Sequence, residues 1–314
     1  MPTPTALIAT WRDGLFIVTG DSIRHEFAGR TVCGLTRDAQ GGALAIVDRQ
    51  TVGRLTGTGD WRPLAEVDTS LACCLELDGV IYAGTEDARV LRIDARGRSE
   101  VVDAFNAVPG RDKWYAGAAL IDGKLIGPPL GVRSMAVTCD GAALLVNVHV
   151  GGIPRSVDGG KTWQPTLEVE LDVHEVSAHP SRPELVAAAS AAGLCISRDA
   201  GATWTVEQEG LHSPYCSAVA FAGDFLLLAC SDGHFAPEGA IYQRRVDGRG
   251  SLQLLDGGFP CRISGICDTD GIDVRESAIA VADRAGNLYC SEDLGRSWSS
   301  RAIGARSPSA VTLI

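Results

Sequence analysis

Three stretches decide the fold: SVDGGKTW at residues 156–163, SRDAGATW at 197–204 and SEDLGRSW at 291–298. All fit the pattern S-x-D-x-G-x-[ST]-W. Their first residues, Ser156, Ser197 and Ser291, lie 41 and 94 positions apart, and 94 is two steps of 47. The spacing has a local physical reason. Asp and Ser/Thr side chains hydrogen-bond the backbone N–H groups of a tight hairpin, glycine supplies a positive φ, and the tryptophan after the turn packs on a neighbouring layer. A fixed period of 40 to 50 residues is the mark of a propeller of four-stranded blades.

The remaining units follow by working outward. Gly239-Ala240-Ile241-Tyr242 followed by Asp247-Gly248 is a degenerate copy without the tryptophan. Third strands are expected near Gly14, Gly53, Arg89, Gly152, Gly193, Gly239 and Asn287, which makes seven units of about 45 residues. Inner strands are expected at Val32 to Leu35, Leu71 to Leu75, Ser134 to Val137, Val173 to Ala178, Cys216 to Ala220 and Ile263 to Ile266. The seventh comes from Ala310 to Ile314, pairing with Ala6 to Ala9 and Leu15 to Val18. The expected fold is thus all-β: one domain over residues 1–314, a seven-bladed β-propeller of four-stranded antiparallel blades. The C-terminal strand joins the N-terminal blade and removes an exposed edge. Residues 101–133 form an insertion of roughly 20 extra residues between blades three and four. It holds Trp114, Tyr115, Gly127, Pro128 and Pro129 and reads either as a lid over the top face or as a neutral surface loop.

On the three S-x-D-x-G-x-[ST]-W copies the chain resembles the Asp-box (BNR) repeats of the sialidase superfamily and of related propellers, such as photosystem II assembly factors and sortilin-type receptors. The resemblance implies that each box caps the hairpin between third and fourth strands, on the face away from the active site. It identifies the fold without identifying the function. Sialidases use three arginines, a Tyr/Glu nucleophile pair, an Asp acid/base and an R-I-P sequence. Here Arg133 and Arg262 match two of the arginines, but Ile153-Pro154-Arg155 has no R-I-P before it and no tyrosine stands ready beside a glutamate. A sialidase-like glycosidase is the minor alternative.

Composition narrows the classes. With 314 residues, 45% hydrophobic and 21% charged, the chain can bury a large core. Length alone suggests about two domains, which the repeat overrides. A net charge of −11, from 39 acidic against 28 basic residues, argues against a nucleic-acid or anionic-membrane partner. No apolar run reaches the ~20 residues of a membrane span. Met1-Pro2-Thr3-Pro4 lacks the basic and apolar regions of a secretion signal, so the expected compartment is the cytoplasm. Ten cysteines, about 3% of the chain, fall mostly in apolar runs such as Leu71-Ala72-Cys73-Cys74-Leu75 and read as reduced core thiols. G-x-x-x-x-G-K-[ST], G-x-S-x-G and H-E-x-x-H do not occur.

The candidate site comes from placing side chains in the blade frame. Loops leading into inner strands, and loops between second and third strands, open on one face, the top. His149, His174, His212 and His234 all map there, in blades four to six, whereas His25 and His179 map to an outer strand and a bottom turn. Aligned by their hairpins, Arg133, His174 and Arg262 share a register. Arginine forks suit carboxylate, phosphate or sulfate, so the expected guest is a small anionic ligand. Trp114, Tyr115 and Tyr215 would wall it, and Glu86, Asp172 and the histidines His149, His174 and His212 are the candidates for acid–base work. His149, His174, His212 and His234 are also a candidate ligand set for a divalent transition metal such as zinc, iron or nickel, although none of the short metal spacings is present. Two functions follow: a hydrolase or lyase, metal-assisted if the histidines meet, or a non-catalytic scaffold whose top rim docks a protein partner.

Overall fold

Strands here are short because β-branched and apolar runs are cut by glycines and by aspartates in left-handed turns; the longest, Tyr215–Ala222 and Glu238–Arg245, have eight residues. In a computed structural model of the chain, residues 4–56, 59–117, 119–121, 124–126, 130–248 and 250–314 are described. They form seven four-stranded antiparallel blades. In the fifth, for example, Val173–Ala178 is innermost, followed outward by Val186–Ser190, Gly193–Ser197 and Thr205–Glu207. The ring closes through Pro308–Leu313, which pairs with Ala6–Thr10 and becomes the inner strand of blade one, Ile8 facing Val311. Among the described residues no helix is long and apolar enough to cross a membrane.

The core is divided rather than central. Seven apolar clusters each join two successive blades, as where Leu7, Leu15 and Ile17 meet Val32, Val47 and Leu55, and the set runs once around the ring. The repeated hairpins serve these seams. In the first, Asp158 Oδ1 accepts the N–H groups of Lys161 and Thr162 at 3.0 and 2.9 Å, and Ser156 Oγ accepts that of Gly160 at 2.8 Å. Asp199 and Asp293 repeat the bond to the backbone of Thr203 and Ser297. The glycines at the turn, Gly160, Gly201 and Gly295, have φ between 81° and 84°, which L side chains rarely adopt. Trp163 Nε1–H donates to Gly160 O at 3.0 Å while its ring meets Phe105 edge-on at 5.0 Å.

The inner strand of blade seven corrects the sequence reading. It is Ile272–Arg275, and Ile263–Ser264 instead pairs with Glu238–Gly239 at the top of blade six. Ile263 and Ile266 are buried and look like a strand, but Gly265 sits at φ 73° between them. The true inner strand carries Asp273 because it faces a polar bore, so its hydrophobic signal is weak.

That bore holds a cavity of about 310 Å³ lined by Arg37, Glu175, Asp270 and Asp273 among others. Its carboxylates tie blades together. Glu175 Oε2 accepts the N–H groups of Val219 and Asp270 at 3.1 and 3.2 Å. Asp273 Oδ2 accepts that of Leu313 at 2.7 Å and pairs with Arg37 at 2.5 Å. Burial pushes Asp270 up to about 7, and raises Glu175 and Asp273 as well.

Two outcomes are expected. Trp163→Ala, which empties a buried seam position, should lower the unfolding free energy by about 3–5 kcal/mol in urea titrations. Asp270 holds in the folded state a proton that the unfolded chain releases above roughly pH 4, so the stabilisation this proton brings is complete below that and is lost as pH rises through about 7. Asp270→Asn, neutral at every pH, should therefore shrink the difference in unfolding midpoint between about pH 5 and pH 8; an unchanged difference would mean that Asp270 ionises as in water.

Candidate functional site

The seven loops between second and third strands ring the top of the bore, and six of them present a ring or a charge: Trp11, Arg49, Glu86, His149, His234 and Arg284. Blade five offers only Ala191 and Ala192 there. A second set of side chains comes from the inner strands. The pairing of inner and second strands skips one residue between Val132 and Ser134, between Val173 and Glu175, and between Cys216 and Ala218. The skipped residues are Arg133, His174 and Ser217, and such bulges re-aim a side chain out of the ladder. Arg133 and His174 thus hold equivalent places in adjacent blades.

The closest meeting is of His149, Asp172 and His174, one ligand atom of each lying within 4.8 Å of the others. Asp172 follows the short 3-10 turn Val169–Leu171 with φ 48° and ψ 74°, a left-handed conformation that aspartate tolerates better than most residues. Its Oδ1 is 3.1 Å from His149 Nε2 and its Oδ2 is 3.8 Å from His174 Nε2. His174 Nδ1–H donates to the Cys216 carbonyl at 2.6 Å, which leaves the Nε2 lone pair on the side of Asp172. His149 is only 7% exposed, and its Nδ1 is buried without a hydrogen-bond partner. Asp172 Oδ1 is likewise buried and, although in contact with the His149 ring, is out of line for a hydrogen bond.

Electrostatics separate these groups. Burial, then the Arg133 and His174 charges, lower His149 to about 3, so it is neutral across the physiological range. Burial raises Asp172, against the pull of His174 and Arg133. Arg133 itself is brought down to about 10 by burial, with Asp268 and Asp172 as nearby opposing charges. Tyr215 stacks obliquely on His174 at 4.7 Å, and burial raises its hydroxyl.

Other sequence candidates lie elsewhere. His212 stacks on Tyr242 at 5.8 Å and hydrogen-bonds its hydroxyl through Nδ1 at 2.8 Å, outside the close cluster. His234 is on the mouth, where Arg284 donates to its carbonyl at 2.5 Å, but it too lies outside the three-residue cluster. Arg262 does not share the register of Arg133, because the strand that it was aligned on belongs to blade six; it pairs with exposed Glu238 at 3.4 Å. Glu86 is held by Arg49 and by Ser70 Oγ at 2.8 Å. Trp114 is a core residue, packed against Phe105 at 5.8 Å with Arg111 over its ring. Tyr115 is 54% exposed, its N–H bonded to Val150 O beside His149. From the same inserted segment, Gly117 lies so close to His149 that a Cβ there would be 2.2 Å from the ring. Gly127, Pro128 and Pro129 lie outside the described residues.

Sequence reasoning missed Arg284 and Asp268, an ion pair at 3.1 Å on the blade-seven side of the mouth. The signal was present. Arg284 leads into the third strand of blade seven, the same loop position that singled out Glu86 and His234.

No protein-family model matches the chain, and no curated protein matches it. Solved structures do. The chain is similar to a GH74 enzyme from Niastella koreensis (14% identity, TM-score 0.60, over 86% of this chain and 45% of that one). It is similar to a GH74 xyloglucanase from Xanthomonas campestris (18%, 0.57, 86% and 45%) and to an ancestral GH74 enzyme (14%, 0.60, 90% and 38%). The chain spans less than half the length of each, and at these identities the likeness establishes the propeller fold alone.

Proposed function

We propose that the top mouth binds a small molecule bearing a carboxylate, phosphate or sulfate and transforms it as a hydrolase or lyase. The observation that carries this reading is the meeting of His149, Asp172 and His174 next to the Arg133 guanidinium. A guanidinium is a planar fork whose donors suit carboxylate, phosphate or sulfate. Arg284, set by Asp268 and the His234 carbonyl, stands across the same opening as a second anchor. Tyr215 supplies a wall. His174, locked by the Cys216 carbonyl with the Nε2 lone pair left over, suits a general base. Asp172, its pKa raised by burial, suits the acid.

A scaffold reading has one observation in its favour: Tyr115 and Phe235, 54% and 65% exposed, are aromatic rings on the same face that a protein partner would cover. The Asp-box-like hairpins and the GH74 neighbours support a lesser, glycosidase reading. That chemistry needs two carboxyl groups across the scissile bond. Asp172 would serve as one, but Asp268 and Glu86 are each paired with an arginine.

The test is a thermal-shift series with inorganic phosphate, sulfate and simple carboxylates, joined to a turnover screen on phosphate, sulfate and carboxylic esters. Wild type should be stabilised by at least one anion, and Arg133→Met, similar in length but uncharged, should abolish that shift. On any ester turned over, His174→Gln should reduce kcat by about 100- to 10,000-fold. No anion response, or a response that Arg133→Met retains, would sink the proposal.

A further inference from the structure

We infer that His149, Asp172 and His174 form a binding site for one divalent transition-metal ion, with two imidazoles and one carboxylate as ligands and an open position facing Arg133. The geometry fits. Two ligands at about 2.0–2.1 Å on a tetrahedral ion stand roughly 3.3–3.4 Å apart. Through its two oxygens Asp172 stands 3.1 Å from His149 Nε2 and 3.8 Å from His174 Nε2, and with one ligand atom from each residue the set lies within 4.8 Å, so binding an ion would draw the two imidazoles inward. These contacts are close but unsatisfied: His149 is more than nine-tenths buried, and Asp172 Oδ1 is buried with no hydrogen bond. An ion between them would satisfy the oxygen and both Nε2 lone pairs at once.

The surroundings agree. A ligating histidine donates its other ring N–H to an acceptor that fixes tautomer and orientation. His174 does this through Nδ1 to the Cys216 carbonyl at 2.6 Å. Two nitrogens and one oxygen suit zinc or iron(II) and disfavour magnesium and calcium, which prefer all-oxygen sites. The four-histidine set expected from sequence is replaced by a smaller one, in which the carboxylate takes the place of His212 and His234. Arg133 would repel a bare cation, so the ion and the guanidinium are best accommodated together when an anion bridges them. With the ion bound, His174 Nε2 and Asp172 serve as ligands in place of the base and acid roles given them above, and the role given to the ion, a Lewis acid that polarises the bound anion or a water beside it, rests on the anion-binding reading alone. Its presence does not.

The experiment uses the full chain, treated with chelator and then titrated with cobalt(II), whose visible bands report ligand number, and with zinc by calorimetry. One ion per chain is expected, with the intense visible absorption of a low-coordinate site. Asp172→Asn and His174→Ala should each weaken binding by more than about 100-fold, beyond the 10- to 100-fold loss typical of outer-shell partners. His212→Ala should leave it unchanged. Circular dichroism and melting of each variant separate lost ligands from lost fold. Inorganic phosphate should tighten metal binding in wild type, and the metal should tighten phosphate equally, since the coupling is reciprocal. Binding that survives both Asp172→Asn and His174→Ala, or no stoichiometric binding, overturns the site. Metal binding without any phosphate response would leave the site standing and remove the anion reading.

Discussion

Everything at the mouth depends on burial between blades. No blade can cover its own two faces, so each stacks on the next, and the seven apolar clusters are the seven seams of a closed ring. Closure makes the geometry rigid at the centre. Because Pro308–Leu313 pairs with Ala6–Thr10, blade one has its full four strands, the ring closes, and inner strands far apart in sequence are brought around one bore. Seam burial therefore sets the distance between His149 and His174 as firmly as it sets the fold.

Within that frame, irregularity does the aiming. A regular ladder would point residue 174 into a seam or along the bore. The skipped residue between Val173 and Glu175 lifts its ring to the mouth, and the matching irregularity lifts Arg133. Asp172 is placed by a different device, a left-handed backbone after a single 3-10 turn. The inserted segment completes the wall by bringing Gly117 against His149 and Tyr115 against Val150. Further down the same bore the carboxylates play another part: Glu175 and Asp273 accept backbone N–H groups from neighbouring blades, so the axis is polar where the seams are dry.

Much of the fold was legible because its signals are local. Third strands beginning near Gly14, Gly53, Arg89, Gly152, Gly193, Gly239 and Asn287 match the strands seen, since a glycine or a left-handed turn precedes each and the hairpin motif repeats at blade spacing. The one inner strand misplaced, Ile263 to Ile266 for Ile272–Arg275, failed for a physical reason. Hydrophobic pattern finds strands that face apolar seams, and a strand whose polar Asp273 lines the bore is hidden from it. That slip carried Arg262 into the site and left Arg284 out. Trp114, expected to wall the site, instead packs in a seam, because nothing local announces that Phe105 folds back beneath it.

The sequence by itself determined the repeat, the number of blades and the mode of closure. These follow from turns and strands only a few residues long, whose hydrogen bonds are made within one hairpin. Which histidines meet, and that Asp172 rather than His212 stands between them, were decided by tertiary structure alone. Those relations depend on displacements of a few ångströms across seams between blades, where a one-residue bulge re-aims a side chain and leaves no trace in the hydrophobic pattern.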